Sequence, residues 1–118
     1  MLQINHKYNG LEEAKALTDL VESKMQVLEK FTNGTNSVLC EVEYEKVAEQ
    51  QTGKIYRMEV NATIDGKLFR AEATEESFEQ AIDEVRNELD KEIRRAKDKE
   101  VSLLRRTGRR MKEALFRG

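Results

Sequence analysis

The sequence predicts an α/β (α+β) two-layer sandwich in the order β-α-β-β-β-α, with a four-stranded mixed sheet and both helices packed on one face. Three observations predict it. Apolar residues recur at every second position in three stretches that start at Leu2, Val38 and Tyr56, and again after Gly66. They recur at every third and fourth position from Leu17 to Leu28 and from Phe78 to Ala96, which is the period of a helix with one buried face. The pair Asp65-Gly66 between two alternating runs is the signature of a two-residue hairpin turn.

Each element follows in turn. Leu2, Ile4 and His6 alternate with Gln3, Asn5 and Lys7, giving a short first strand with one face inward. Asn9 is expected to cap the first helix, with Glu12 three residues on in a box-like position, and Leu17, Val21, Met25 and Leu28 supply its apolar face. Phe31 closes that helix and Asn33-Gly34 is the expected exit turn. Val38, Cys40, Val42 and Tyr44 then share one strand face, while Leu39, Glu41, Glu43 and Glu45 share the other. The polar run from Glu49 to Gly53 reads as a loop, followed by inward Tyr56, Met58, Val60, Ala62 and Ile64.

A two-residue turn at Asp65-Gly66 pairs Ile64 with Lys67, Ala62 with Phe69, Val60 with Ala71 and Met58 with Ala73. The inner pairs agree in sidedness, so the turn and the strand patterns support each other. The first helix is long enough to serve as a crossover that makes the first two strands parallel, and the other strands form a meander. The outer sheet face then carries Glu41, Glu43, Glu45, Glu59 and Glu72. Phe78, Ala81, Ile82, Val85, Leu89, Ile93 and Ala96 form the buried stripe of the last helix, whose basic end should overhang the sheet. Thr107-Gly108 is expected to break or fray it, leaving Arg109 to Gly118 as a short helical turn or a tail that orders on contact. The division expected is a single domain over 1–106 and a basic C-terminal tail over 107–118.

A chain of 118 residues makes one domain with a modest core. The formal net charge of -2 hides a strong asymmetry. Residues 1–90 hold 10 Lys/Arg against 19 Asp/Glu, a net of -9, whereas residues 91–118 hold 11 against 4, a net of +7. A polyanionic partner is implied for the C-terminal part, and the acidic body limits indiscriminate binding. The single cysteine, Cys40, reads as a reduced, buried thiol, and with no apolar run of signal-peptide or membrane-span length the expected compartment is the cytoplasm.

Catalysis finds little support. His6 is the only histidine, so neither a Cys/His metal cluster nor a Cys-His pair assembles convincingly, and a strand histidine with its hydrogen bonds satisfied is the better reading. No glycine-rich phosphate loop is present, and Glu41, Glu43 and Glu45 fit a solvated sheet face better than a small hydrolase's carboxylates. No enzyme activity, metal, cofactor, small-molecule substrate or membrane partner is therefore expected. An RNA-reading sheet would turn aromatics outward, yet Tyr44, Tyr56 and Phe69 share the inward parity. The cationic side of the last helix offers Lys91, Arg94, Arg95, Lys97 and Lys99, and beyond them Arg105, Arg106, Arg109 and Arg110, groups that bind backbone phosphate with little base information.

With these features in place, the sequence resembles the short form of the ribosome hibernation-promoting factors, also called ribosome-associated inhibitors or sigma-modulating proteins. The match lies in the last helix, Glu76-Ser77-Phe78-Glu79-Gln80-Ala81-Ile82-Asp83-Glu84-Val85, followed by Leu89, Lys91, Ile93, Arg95, Lys97 and Lys99. The first helix adds Leu11-Glu12, Ala16-Leu17, Val21, Lys24 and Leu28-Glu29-Lys30, so the likeness spans residues 1 to about 100. Ser77, Glu88 and Val27 depart from the family pattern, and the tail from Val101 matches neither family branch.

The resemblance implies a stress or stationary-phase factor that docks on the small ribosomal subunit, in the channel for messenger and transfer RNA. There it would inhibit translation and protect idle ribosomes. It implies ribosomal RNA contacts at Lys24, Lys30, Lys91, Arg95, Lys97 and Lys99, to which helical geometry adds Arg94, and the tail adds Arg105, Arg106, Arg109 and Arg110. Whether ribosomes form dimers around it stays open. The rival expectation is a protein-interaction module that modulates a sigma factor or another partner protein.

Overall fold

The structure, a computed structural model, describes residues 2–31 and 37–116, with side chains through Glu100. Strands β1 (Leu2–Asn9), β2 (Val38–Lys46), β3 (Tyr56–Ile64) and β4 (Lys67–Glu75) form one sheet in the order β1-β2-β3-β4. Helix α1 (Lys15–Met25) runs into a 3-10 segment, Gln26–Phe31, and helix α2 (Phe78–Phe116) ends the chain. β1 and β2 pair in parallel across the α1 crossover, and the other pairs are antiparallel. The expected mixed sheet, element order and single helical layer are all present.

The hairpin register is the expected one: Ile64 faces Lys67, Ala62 faces Phe69, Val60 faces Ala71 and Met58 faces Ala73. Asp65 and Gly66 both adopt positive φ, 53° and 77°, the backbone that a two-residue turn between twisted strands requires. Nothing lies within 4 Å of a Cβ built on Gly66, so its constraint is conformational alone. The alternation sends Val38, Cys40, Val42, Tyr44, Met58, Val60, Ala62 and Ile64 inward, where they meet Val21, Met25 and Leu28 from the first helical stretch. Ala81, Ile82, Val85, Leu89 and Ile93 of α2 complete this core, and all are essentially inaccessible to solvent.

The start of α1 differs from expectation. Asn9 is the last residue of β1, opposite Glu45, and the helix begins only at Lys15, with Ala14 as a cap that offers no side-chain hydrogen bond. Gly10, at φ 70°, turns the chain off the strand, and residues 10–14 carry it from the sheet layer to the helix layer. The Tyr8 hydroxyl donates to the Ala14 carbonyl and meets the Thr18 hydroxyl at 2.5 Å, which ties the strand end to the helix start. The capping box lost to strand pairing, which satisfies more backbone groups than one cap. The expected exit turn at Asn33-Gly34 lies outside the described residues.

α2 starts where Ser77 accepts the Gln80 N–H on its hydroxyl at 3.2 Å. It then runs 39 residues to Phe116, about 58 Å at 1.5 Å per residue against about 30 Å for a nine-residue strand. The overhang is as expected, but the break at Thr107-Gly108 does not occur. One interior glycine costs a helix about 1 kcal/mol, and its neighbours Leu103 to Arg106 and Arg109 to Leu115 are strong helix formers that offset it.

Two substitutions separate packing from turn geometry. Ile82→Ala should destabilise the fold by about 2 to 5 kcal/mol through the cavity it leaves, whereas Gly66→Ala should cost about 1 kcal/mol through backbone strain alone. Urea unfolding monitored by circular dichroism measures both.

Candidate nucleic-acid interface

Because both helices cover the same sheet face, the flank of α2 lies along α1 and the 3-10 segment, and charged side chains from the two meet at that seam. Lys24 pairs with Asp83 at 2.7 Å, and Lys30 pairs with Asp90 at 3.0 Å. One turn beyond, Arg94 takes the other oxygen of Asp90 at 3.0 Å. The Asp83 and Asp90 oxygens that face the lysines are shut off from water, although both side chains remain partly exposed. The Lys24 ammonium, with Arg86 beyond it, holds the Asp83 carboxyl below the usual carboxylate range, and Lys30 followed by Arg94 does the same for Asp90.

The seam closes on Phe31, a buried ring at the end of the 3-10 segment. Lys30 Nζ lies 5.1 Å from the ring centroid, Arg94 Cζ 5.6 Å and Lys97 Nζ 5.9 Å. Lys97 also donates to the Phe31 carbonyl at 2.6 Å. Lys30, Phe31, Arg94, Lys97 and Asp98 line a shallow, open notch. Three cations thus converge on one aromatic platform, an arrangement that suits phosphate oxygens arriving from solvent.

The remaining cations fall on another side of the helix. Lys91, Arg95 and Lys99 are exposed and lie about 120° to 160° around α2 from Lys97. Arg95 leans on Glu92 at 3.4 Å, while Lys91 and Lys99 have no ion-pair partner among the described residues. Lys91 shares an open concavity with Glu72, Glu84, Asn87 and Glu88. The expected residues therefore form two groups, one at the seam and one on the outer flank, with Lys24 apart beside Asp83. Arg105, Arg106, Arg109 and Arg110 belong to the helical backbone of α2, and their side chains lie outside the described part.

Sequence reasoning missed the counter-ions and the platform. Asp83 and Asp90 stand seven residues apart, two turns of one helix face, and that spacing was a legible sign of a matched pair of acids. Phe31 had been read only as the end of a helix.

Elsewhere, polar groups are engaged in holding the fold. His6 lies between the Tyr44 hydroxyl at Nδ1, 2.8 Å, and Glu22 at Nε2, 3.0 Å, which locks β1, β2 and α1 together. Burial raises the Tyr44 phenol well above its ordinary range, so its hydroxyl keeps its proton. Cys40 is a free, buried thiol, pushed up by burial to about 11, which makes it a poor nucleophile. On the outer sheet face Arg57 reaches Glu45, Glu59 and Glu72 at 3.2, 2.5 and 2.6 Å, and Arg70 adds Glu59 at 3.0 Å. Burial pushes the Glu59 carboxyl up, but its hydrogen bonds with Arg57 and Asn61 outweigh that and hold it low. Among the described residues no three His, Cys, Asp or Glu side chains converge as metal ligands would. No helix among them is long and apolar enough to cross a membrane.

A small two-layer α+β domain with a cation-lined helix seam and an ion-paired outer sheet has the build of a binding factor. The chain belongs to the family described as Sigma 54 modulation protein / S30EA ribosomal protein, whose model matches residues 4–101. That is a family of ribosome-associated factors and not of enzymes. The fold is shared with the N-terminal domain of Thermus thermophilus Protein Y, at 22% identity and a TM-score of 0.65, over 76% of this chain and 92% of that one. It is shared too with a ribosomal subunit interface protein from Coxiella burnetii, at 16% identity and a TM-score of 0.60, over 83% and 99%. A search among curated proteins returned no match.

The seam gives stability a definite pH dependence. Because Asp83 and Asp90 have lower values folded than unfolded, where about 3.9 applies, their pairs stabilise the fold above about pH 4 and lose that contribution as pH falls through the lowered values. The melting temperature should drop as pH falls below about 5, and the Asp83→Asn, Asp90→Asn double variant should show a smaller drop when the two are scanned together.

Proposed function

We infer that this protein is a ribosome hibernation factor that binds the small ribosomal subunit through contacts with ribosomal RNA in the channel for messenger and transfer RNA, inhibiting translation and protecting idle ribosomes. Membership of a ribosome-associated family supports the partner and a cytoplasmic location. The observation that carries the reading is the convergence of Lys30, Arg94 and Lys97 on Phe31, with the exposed Lys91, Arg95 and Lys99 as a second group around the helix. Lys24 extends the contact along the seam, and Arg105, Arg106, Arg109 and Arg110 extend it along α2. The tail over 107–118 serves as an added RNA contact on the domain over 1–106.

Carboxylates along α2 offset much of this charge: residues 78–100 hold 6 Lys/Arg against 8 Asp/Glu, a net of -2, whereas residues 101–118 hold 6 against 1, a net of +5. The exposed Arg95–Glu92 pair contributes about 0 to 1 kcal/mol, so phosphate competes with it readily. The outer sheet face, rich in glutamate, repels the same ligand, so RNA approaches from the helix layer.

If about six phosphates are contacted, affinity for small subunits should fall about a thousandfold between 50 and 200 mM salt. Lys30→Glu with Lys97→Glu, and separately Lys91→Glu with Arg95→Glu, should each abolish cosedimentation with subunits at moderate salt while leaving the circular dichroism spectrum intact. Retention of the protein by a partner from nuclease-treated extract, with no salt-sensitive subunit binding, would instead favour a module for a protein partner. Deleting residues 105–118 should lower both the affinity and the salt slope.

A further inference from the structure

Asp90 stands at the centre of the cation group, and its geometry is not that of a chance neighbour. One oxygen holds Lys30 of the 3-10 segment at 3.0 Å and the other holds Arg94 of α2 at 3.0 Å. The oxygen facing Lys30 is shut off from water. Two turns earlier, Asp83 repeats the arrangement with Lys24 at 2.7 Å, again through an oxygen without solvent contact. With Lys97 fixed on the Phe31 carbonyl at 2.6 Å, every cation of the notch is immobilised by a short polar contact.

We propose that Asp90 is a positioning residue for the RNA grip, an internal counter-ion that presets Lys30 and Arg94 at a fixed separation over Phe31. The inference rests on the reading above that these cations bind ribosomal RNA. Lys and Arg lose rotamer freedom when they bind, and a side chain already held in its bound geometry loses less at the moment of docking. A negative charge within a phosphate-binding site also weakens attraction to any polyanion. The two effects have opposite consequences for different ligands. A folded RNA surface with phosphates at fixed positions gains from preset donors, whereas a flexible single strand adapts to any arrangement and registers only the lost charge.

The sign of one substitution therefore separates positioning from plain neutralisation. Asp90→Asn adds one unit of net positive charge, removes the ion pairing of both cations and leaves a single neutral acceptor for the two. In the full chain at one fixed salt concentration, it should weaken binding to purified small ribosomal subunits about tenfold, the effect of freeing two side chains, while binding to polyuridylate stays equal or tightens. Asp90→Glu, which keeps the charge and can still reach both cations, should restore subunit binding to within about threefold. Asp83→Asn, which frees only Lys24, should lie between the wild type and Asp90→Asn on subunits.

The proposal is overturned if Asp90→Asn tightens binding to both ligands or changes neither. It is equally overturned if binding to both weakens by the same factor, since that marks a purely structural loss, which a melting curve run alongside would register. The parent reading has its own signature of failure: wild-type protein that binds subunits no better than polyuridylate. That result would remove the RNA grip itself, whatever Asp90 does.

Discussion

The strict alternation of β2, β3 and β4, locked in register by the two positive-φ residues Asp65 and Gly66, is the constraint on which the other features depend. It places the large apolar side chains of the sheet on one face, apart from Leu39 and Leu68, so the stable position for the two amphipathic helical stretches is side by side on that face. Helices confined to one layer must touch along their flanks. The residues just outside the buried stripe of α2, Asp83, Asp90, Arg94 and Lys97, are thereby brought against Lys24, Lys30 and Phe31. A slip of one residue in the hairpin would reverse the faces of β4 and remove the platform on which this seam is built.

The charges at the seam do two things at once. Asp83 and Asp90 align the lysines of the first helical stretch with α2 and so contribute to docking of the two helices, a modest effect for pairs that remain partly in water. They also lower the net potential of the surface that the cations create. Positive charge comes chiefly from the continuation of α2 past the sheet, where the sequence turns basic.

Much of the fold was legible in the sequence because the information was periodic. Strand parity, hairpin register, the parallel crossover and the buried stripe of α2 all follow from spacing, and spacing is local. What was not legible depended on competition between local signals or on distant contacts. Asn9 carries a good cap sequence, but its backbone is claimed by Glu45 across the sheet, thirty-six positions away. Thr107-Gly108 is a weak breaker surrounded by strong helix formers, and the surroundings prevail. Ser77, noted only as a departure from a family pattern, is the residue that caps α2. For the candidate site, the cations were visible as a basic run on one helix. Their division into two groups, and the central place of Phe31, required knowing which residue of the first helical stretch lies against which turn of the last.

The acidic body and the basic edge act together in orienting the molecule. On the outer sheet face, Arg57 and Arg70 are surrounded by Glu45, Glu59 and Glu72, so the positive charges there are already spent on internal partners. Glu41 and Glu43, the latter opposite Lys7 of β1, add further carboxylates on the same face. The outer sheet face presents mostly carboxylates, whereas the basic charge of the sequence is gathered toward the end of α2, so the charge pattern would favour one orientation of the molecule toward a polyanion. Such steering acts over about a Debye length and is lost in high salt, whereas a contact made through the proposed preset geometry over Phe31 would act only at close range and be much less sensitive to screening. Under that proposal orientation and grip are separable, the first set by the overall distribution of charge and the second by the residues that hold Lys30, Arg94 and Lys97 in place.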